Sequence, residues 1–428
     1  MEYLPNKNPK YLDEILKKFS YNFKSLNDIS KIFFRRACPF FGYVSENYPK
    51  EEKEFINVFP QFKNLVNSIE DFFPTKGVDL LKTKKDGHYS MNRKQVALIF
   101  LLSFLNLIQV KESNKKNYFD VCSVLFMRHP TAYNFGLCFL NYLTVIGKWL
   151  ETDNEILNQE IIYKRKNNNS MDYLFGPTDN IKLCDVVLKN KGSLFEGDDS
   201  YFVDFANKYI GGGVLNGGCV QEEIFFAIDP EAIVSMFFME VMDDCDSIGI
   251  FNTIMYSKYK GYGYSFTYDG SLIDEKTPIE KIKQHRIIAI DAISFSSYSP
   301  YIFKHADKIQ EINRDLHKAY VGFSFANDNK DEKDKDIPKT IATGNWGCGA
   351  FNGNHELKFI QQWLAASFAG IERLDYYTFG DKNMINVEKN WEKIKNKYKS
   401  AKKLYDDLLS VSGFGDNYIQ NLLNIHQY

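Results

Sequence analysis

The stretch VDFANKYIGGGVLNGGCVQEE, Val203 to Glu223, decides how the rest of the chain is read. Its apolar start, with the small polar residues Asp204 and Asn207, leads into three consecutive glycines, Gly211, Gly212 and Gly213. That order reads as a strand ending in a glycine loop. Glycine reaches φ > 0 and lets a backbone come close to a ligand. Exposed amides in such a loop bind anions, phosphate most often. The spacing is neither GxGxxG nor GxxxxGK[ST], so neither a dinucleotide-binding Rossmann turn nor a P-loop is indicated. A tight turn with no ligand is the alternative. After seven loop residues come Gln221, Glu222 and Glu223, then the apolar IFFAI, which pins the acids to the core. Adjacent carboxylates repel, so if both face a cleft one of them holds its proton to higher pH than usual. A general acid needs that property. The plain alternative is two solvated glutamates.

Outward from this stretch the second half alternates short β-branched or aromatic runs with helical ones. SYFVDFA, DSIGIFNTIMY, YSFTYDG, RIIAIDAIS, KTIATG and RLDYYTFG read as strands. DPEAIVSMFFMEVMDD reads as a helix with Asp229 as N-cap and Pro230 at the first position. ADKIQEINRDLHKAYVGF and ELKFIQQWLAASFAGIER read as two more, and NVEKNWEKIKNKYKSAKKLYDDLLS as a charged amphipathic helix. Alternation of this kind indicates a layered α/β domain with a parallel or mixed sheet. A second glycine-rich loop, TIATGNWGCGAFNG over 340–353, follows a strand and holds Asn345, Gly347, Gly349, Ala350 and Phe351. Two such loops at the C-terminal edge of a sheet can close on one diphosphate. Trp346 between them reads as core. The tyrosines of YSKYKGYGYSF (Tyr256, Tyr259, Tyr262, Tyr264) and Phe379 of YYTFGD either stack on a base or ribose or pack in the core.

The first 160 or so residues carry helical periodicity and few strand signals. Pro60 breaks one helical run. VALIFLLSFLNLIQV, Val96 to Val110, is too short to span a bilayer and contains Ser103, Asn106 and Gln109, so it reads as a buried helix. The polar YKRKNNNSMDY, 163–173, is the best boundary, and NDNKDEKDKDIPK, 327–339, reads as a solvated loop. The 428 residues suffice for two cores. The net charge of −2 gives no electrostatic case for duplex nucleic acid. The N-terminus has no apolar signal region, so an intracellular protein with no membrane partner is expected. Seven cysteines without a CxxC fit a reducing compartment, and the seven histidines form no HxxxH or HExxH pair, so no metal is expected. Lys and Asn are abundant and Arg scarce, which fits an AT-rich genome.

Taken together, GGG–seven residues–QEE, VDFAN, GYGYSFTY, ATGNWGCGAF and TFGD, in that order, resemble the poly(ADP-ribose) glycohydrolase family of the eukaryotic type, with a protozoan source expected. The resemblance spans about 180 residues of the second half, and its specificity lies in the order of several independent motifs. It implies a macrodomain-like α/β/α sandwich with a mixed central sheet over 166–428 and an all-helical accessory domain over 1–165. It implies hydrolysis of ribose–ribose O-glycosidic bonds of poly(ADP-ribose) on modified proteins, with ADP-ribose as product and no cofactor. It makes Glu223 the general acid and then base, and Glu222 the holder of the ribose hydroxyls. Asn207 contacts ribose in this scheme and Asp204 holds the loop. Gly211, Gly212 and Gly213 lie against the diphosphate and distal ribose, and Gln221 is a further substrate-binding residue. Asn345, Gly347, Gly349, Ala350 and Phe351 line the other side, Tyr262 closes over the ligand, Phe379 orients the adenosine end and Glu196 reaches the adenine edge. A monomer acting in the nucleus, the cytoplasm or both completes the expectation. The competing readings are a non-catalytic ADP-ribose reader and a hydrolase of mono-ADP-ribose derivatives. The loop VLNGGCV adds two further glycines and Cys219 to the family pattern.

Overall fold

In the computed structural model, residues 9–73, 78–108, 120–175, 180–196, 200–274, 277–295, 305–328, 339–412 and 417–425 are described. Among the described residues ten strands appear in chain order: β1 (Gly87–Asn92), β2 (Glu160–Asn167), β3 (Asp185–Lys189), β4 (Tyr201–Ala206), β5 (Asp246–Thr253), β6 (Ser257–Lys260), β7 (Thr267–Ser271), β8 (His285–Asp291), β9 (Thr340–Gly344) and β10 (Arg373–Tyr377). Eight of them form one sheet in the order β1-β2-β5-β8-β4-β9-β10-β3, and β6 with β7 forms a separate hairpin. β8, β4, β9, β10 and β3 run parallel, whereas β1, β2, β5 and β8 pair antiparallel. The sheet is therefore mixed, as its alternating sequence requires for a layered α/β domain.

Alternation along each strand feeds two cores. Phe202 and Ala206 of β4, Ile287 and Ala289 of β8 and Ile248 and Ile250 of β5 join one apolar cluster. Tyr201, Val203, Ile288 and Ile290 join the other. The first cluster continues into α1 (Arg93–Phe104), α2 (Pro130–Glu151) and α3 (Gln221–Ile228). The second is covered by α4 (His305–Phe323) and α5 (His355–Phe368). Helices thus lie on both faces, which burial of both faces of parallel strands demands. α1 falls on the expected apolar run, and nearly every residue in it is buried.

The first 165 residues are mainly helical but also lend β1 and β2 to the sheet, which their sequence did not announce. The expected link at 163 is therefore corrected, because residues 163–167 belong to β2. Its period-two pattern buries Ile161, Tyr163 and Arg165. Arg165 occupies an inward position because its Nη1 meets Asp246 Oδ2 at 2.7 Å and the Val241 carbonyl at 3.2 Å. A basic residue in an inward slot hides the alternation from a hydropathy reading. The helix expected after Asp229 is also shorter than its pattern. Pro230–Ile233 is α-helical, 234–237 tightens to a 3-10 turn, and the Asp229 side chain makes no capping bond. YSFTYDG contributes to the hairpin and not to the main sheet. The charged C-terminal helix is two helices, Ile385–Lys397 and Ala401–Val411, because Ser400 caps the second by accepting from Lys403 N. Of the expected loop 327–339, residues 329–338 lie outside the described residues.

One buried ion pair ties the helical layer to the sheet. Arg93 Nε lies 3.1 Å from Glu231 Oε1, and both side chains are fully buried. Arg93 also donates to Gln159 Oε1 and to the Asn252 carbonyl. Glu231 accepts from Ile254 N at 3.0 Å and from the Tyr256 hydroxyl at 2.7 Å. Removing one member of such a pair strands the other charge in an apolar medium. Arg93→Ala is expected to lower the unfolding free energy by about 3–5 kcal/mol, read by chemical denaturation. A loss below about 1 kcal/mol, the range of an exposed pair, would contradict the assignment.

Candidate active site

The parallel strands β4, β8, β9 and β10 end at Ala206, Asp291, Gly344 and Tyr377, and both glycine-rich loops leave this one edge. Beyond Phe202, β4 has no backbone partner in β9. Gln221 fills that place. Its Nε2 donates to the Val203 carbonyl at 3.0 Å and its Oε1 accepts from Phe205 N at 2.9 Å. The amide thereby copies the donor–acceptor pair that a neighbouring strand would offer. The start of α3 is fixed against β4 by this one side chain.

With α3 so placed, both glutamates of its first turn fold back onto the glycine loop. Glu222 accepts from Asn207 N at 2.8 Å and from Gly211 N at 2.7 Å. Glu223 accepts from Gly213 N and from Val220 N, each at 2.8 Å. The second bond is the reciprocal half of a capping box, and acids in a first turn also match the helix dipole. Gly212 explains why the loop is glycine. Its φ is +51°, and a Cβ there would stand 2.5 Å from an oxygen of both Glu222 and Glu223. At Gly218 a Cβ would crowd the Glu223 carboxyl at 3.0 Å. The glycines are needed first to make room for the acids.

Asp204 completes a buried acidic cluster. It points from β4 into the same face as Phe202 and Ala206, is fully buried, and neither carboxyl oxygen has a hydrogen-bond partner. Burial, and then the charge of Glu223, hold its proton well above the usual carboxylate range. Burial raises Glu222 likewise, with the charge of Asp204 next, against the lowering pull of the Asn207 amide. Of the two adjacent acids it is Glu222, together with the more distant Asp204, whose proton affinity burial raises. Of the three, Glu223 is the most exposed, at 6%. Cys219 beside it is pushed up to about 12 by burial and then by Glu223, so it remains a thiol. Among the described residues no group of three or more acids, histidines or cysteines is arranged to hold a metal ion.

The remaining expected residues divide into two sets. Tyr262 joins the glutamates, with its hydroxyl facing the Gln221 backbone N–H. Asn207 uses its Oδ1 to accept from Tyr209 N. On the other loop, Asn345 Nδ2 donates to the Thr378 carbonyl and its Oδ1 accepts from the Tyr376 hydroxyl, which ties the β9 and β10 loops together. Phe379 is half exposed at φ +54°. A bulky residue in the left-handed region is strained, and such strain collects at functional positions. Its ring lies against Gly344, where a Cβ would be 3.1 Å from it and 3.5 Å from the ring of Phe205. Phe205, between the two loops, is the residue missed in sequence; its place next to the strand end is the signal that marks it. Gly347 sits against Ala292, and the Phe351 carbonyl accepts from Phe295 N, so this part of the loop is braced by the β8 end. Gly349 and Ala350 are exposed at the loop tip. Glu196 ends a short turn, Leu194–Glu196, and its side chain lies outside the described part. Trp346 is core, donating to the Ile290 carbonyl. Tyr256 is core as well, whereas Tyr264 is exposed.

The sequence on both sides of the sheet matches known proteins. Residues 177–386 match the poly(ADP-ribose) glycohydrolase profile of Macro domain fold, and residues 47–165 match the helical-domain profile of the same family. An Arabidopsis thaliana protein named poly(ADP-ribose) glycohydrolase 1 is 31% identical over 395 residues, covering 77% of this chain and 70% of its own length. A second from that plant, named probable poly(ADP-ribose) glycohydrolase 2, is 27% identical over 378 residues, covering 78% and 71%. A Caenorhabditis elegans protein named poly(ADP-ribose) glycohydrolase 2 is 35% identical over 208 residues, covering 46% and 41%.

Two outcomes follow from the geometry. Gly212→Ala should cost about 1–3 kcal/mol, through the left-handed φ and the displaced acids, read by thermal melting; wild-type stability would refute the packing account. For Asp204, folding raises the proton affinity, so the unfolded chain releases a proton above about pH 4 that the folded chain keeps. Its contribution to stability therefore falls as pH rises from there. Asp204→Asn removes that slope, so it should melt above wild type at pH 8, with the gap closing toward pH 4. A gap independent of pH would contradict the buried, unpartnered carboxyl.

Proposed function

Because this chain belongs to the poly(ADP-ribose) glycohydrolase family, we infer that Glu223 is the residue through which it cleaves the ribose–ribose O-glycosidic bonds of poly(ADP-ribose) and releases ADP-ribose. The observation that carries this assignment is the cluster Asp204–Glu222–Glu223 under the glycine loop, in which Glu223 is the most exposed member. Three charges cannot share that volume cheaply, so protons stay in the cluster. Glu223 passes one to the ribose oxygen that leaves. Positive charge then develops at the anomeric carbon, and the ionised carboxylate activates the water that completes hydrolysis. Glu222 and Asn207 hold the ribose, and Gly211, Gly212 and Gly213 border the diphosphate. Asn345, Gly347, Gly349, Ala350 and Phe351 flank it from the β9 side. Tyr262 closes over the ligand and Phe379 orients the adenosine. Gln221 and Asp204 act here through the loop they shape, and Glu196 is assigned to the adenine edge.

We assign residues 1–165 to the accessory part and 166–428 to the catalytic part, with β1 and β2 lent across the division. Among the described residues no helix is long and apolar enough to cross a membrane. All seven cysteines are free thiols, four of them buried, which supports action in a reducing compartment, nuclear or cytoplasmic. A net charge of −2 gives no electrostatic support for binding duplex nucleic acid, and we take the chain to act on modified proteins as a monomer.

Glu223→Gln tests the assignment. It should bind ADP-ribose as wild type does, by calorimetry, while polymer degradation falls roughly 100- to 10,000-fold. Equal degradation by both would remove Glu223 from the mechanism. Automodified polymerase treated with wild type should keep its last protein-linked ribose; removal of that unit as fast as the polymer would favour a mono-ADP-ribose hydrolase.

A further inference from the structure

Large apolar side chains are exposed at only ten of the described positions, and five of them, Tyr209, Val220, Tyr262, Tyr264 and Phe379, stand on the loops around the candidate site. Exposed rings gathered at one place mark a binding surface. Tyr264 is the extreme case, 91% exposed at the tip of the β6–β7 hairpin. Its backbone is nonetheless fixed. Ser265 Oγ donates to the Tyr262 carbonyl at 2.8 Å and accepts from Tyr262 N at 3.0 Å. The next residue, Phe266, is buried against Phe135 of α2 with ring centroids 5.2 Å apart, and Tyr268 N donates to Asn134 of the same helix.

The turn also abuts the catalytic loop. A Cβ at Gly263 would lie 3.9 Å from the Cys219 carbonyl, four residues before Glu223. On its other side Tyr264 meets His129, with ring centroids 6.4 Å apart and planes at 63°. The imidazole is held by the cap it forms for α2, where Nδ1 accepts from Thr131 N at 3.2 Å. An edge-to-face pair of rings results, one from the helical layer and one from the hairpin, with the Tyr264 ring open to solvent. Arg128, also exposed, is adjacent in the chain.

We propose that Tyr264 and His129 form an accessory subsite for the adenine of the neighbouring ADP-ribose unit, the one that leaves with the glycosidic oxygen. The inference rests on the glycohydrolase reading above. Its chemical basis is the bond itself. The leaving oxygen is O2′ of an adenosine, and its base is attached at the adjoining carbon, C1′. A base must therefore lie beside the Glu223 end of the cleft, away from Phe379, which takes the adenosine of the bound unit. An aromatic face there stacks a purine without reading its edges, and Arg128 offers a cation to the diphosphate that follows. The subsite would favour polymer over substrates whose leaving group carries no base.

The test compares two substrates with the same bound unit: poly(ADP-ribose), and a 4-nitrophenyl glycoside of ADP-ribose, whose leaving group has no adenine. Tyr264→Ala should lose roughly 5- to 100-fold in kcat/KM on polymer, Tyr264→Phe should stay near wild type, and all three proteins should cleave the aryl glycoside and bind free ADP-ribose alike. Equal losses on both substrates, or none on polymer, would overturn the subsite while leaving the glycohydrolase reading intact. A wild-type protein that releases no ADP-ribose from polymer would sink both.

Discussion

The site depends on where one glutamine side chain is bound. β4 diverges from β9 after Phe202 and leaves backbone groups at Val203 and Phe205 that need partners. Gln221 supplies both from a single amide. An amide that donates and accepts along one edge fixes translation and rotation together, so the first turn of α3 has one position. Glu222 and Glu223 follow it in the helix and have no freedom to choose another loop. A glutamate at 221 could accept but not donate, and the Val203 carbonyl would face a carboxylate.

Acids so placed would be costly if the loop did not answer them. Four backbone N–H groups, from Asn207, Gly211, Gly213 and Val220, point at the two carboxyls. Those donors offset much of the desolvation, and the glycines let them converge without side chains in the way. Asp204 receives no such answer. It keeps a proton instead, and so burdens the cluster less than a third charge would. Carboxyls buried together with raised proton affinity are a mark of functional sites.

The helical layer has a more direct part than an accessory. Arg93 and Glu231 lock it to the sheet, and α2 carries the hairpin whose turn holds Tyr262 and Tyr264 beside the glycine loop. Ser123 also donates to the Leu215 carbonyl within the glycine loop. One side of the candidate site is therefore set by helices that precede β4 and β9 in sequence.

The alternating strands β4, β5, β8, β9 and β10, the helices α4 and α5, the two glycine loops and the acids that follow the first are legible in the linear sequence, because period and glycine spacing are local properties. It also carried the family, through the order of motifs no single one of which would suffice. Tertiary structure alone decided the rest. β1 and β2 form because a distant β5 is there to pair with, and Arg165 hides its inward slot until Asp246 meets it from across the sheet. The role of Gln221 emerges only when β4 parts from β9. Which acids hold a proton depends on burial and on the approach of Asp204, 18 residues before Glu222 in the chain. Long-range pairing and desolvation belong to the folded volume, and a one-dimensional pattern does not contain them.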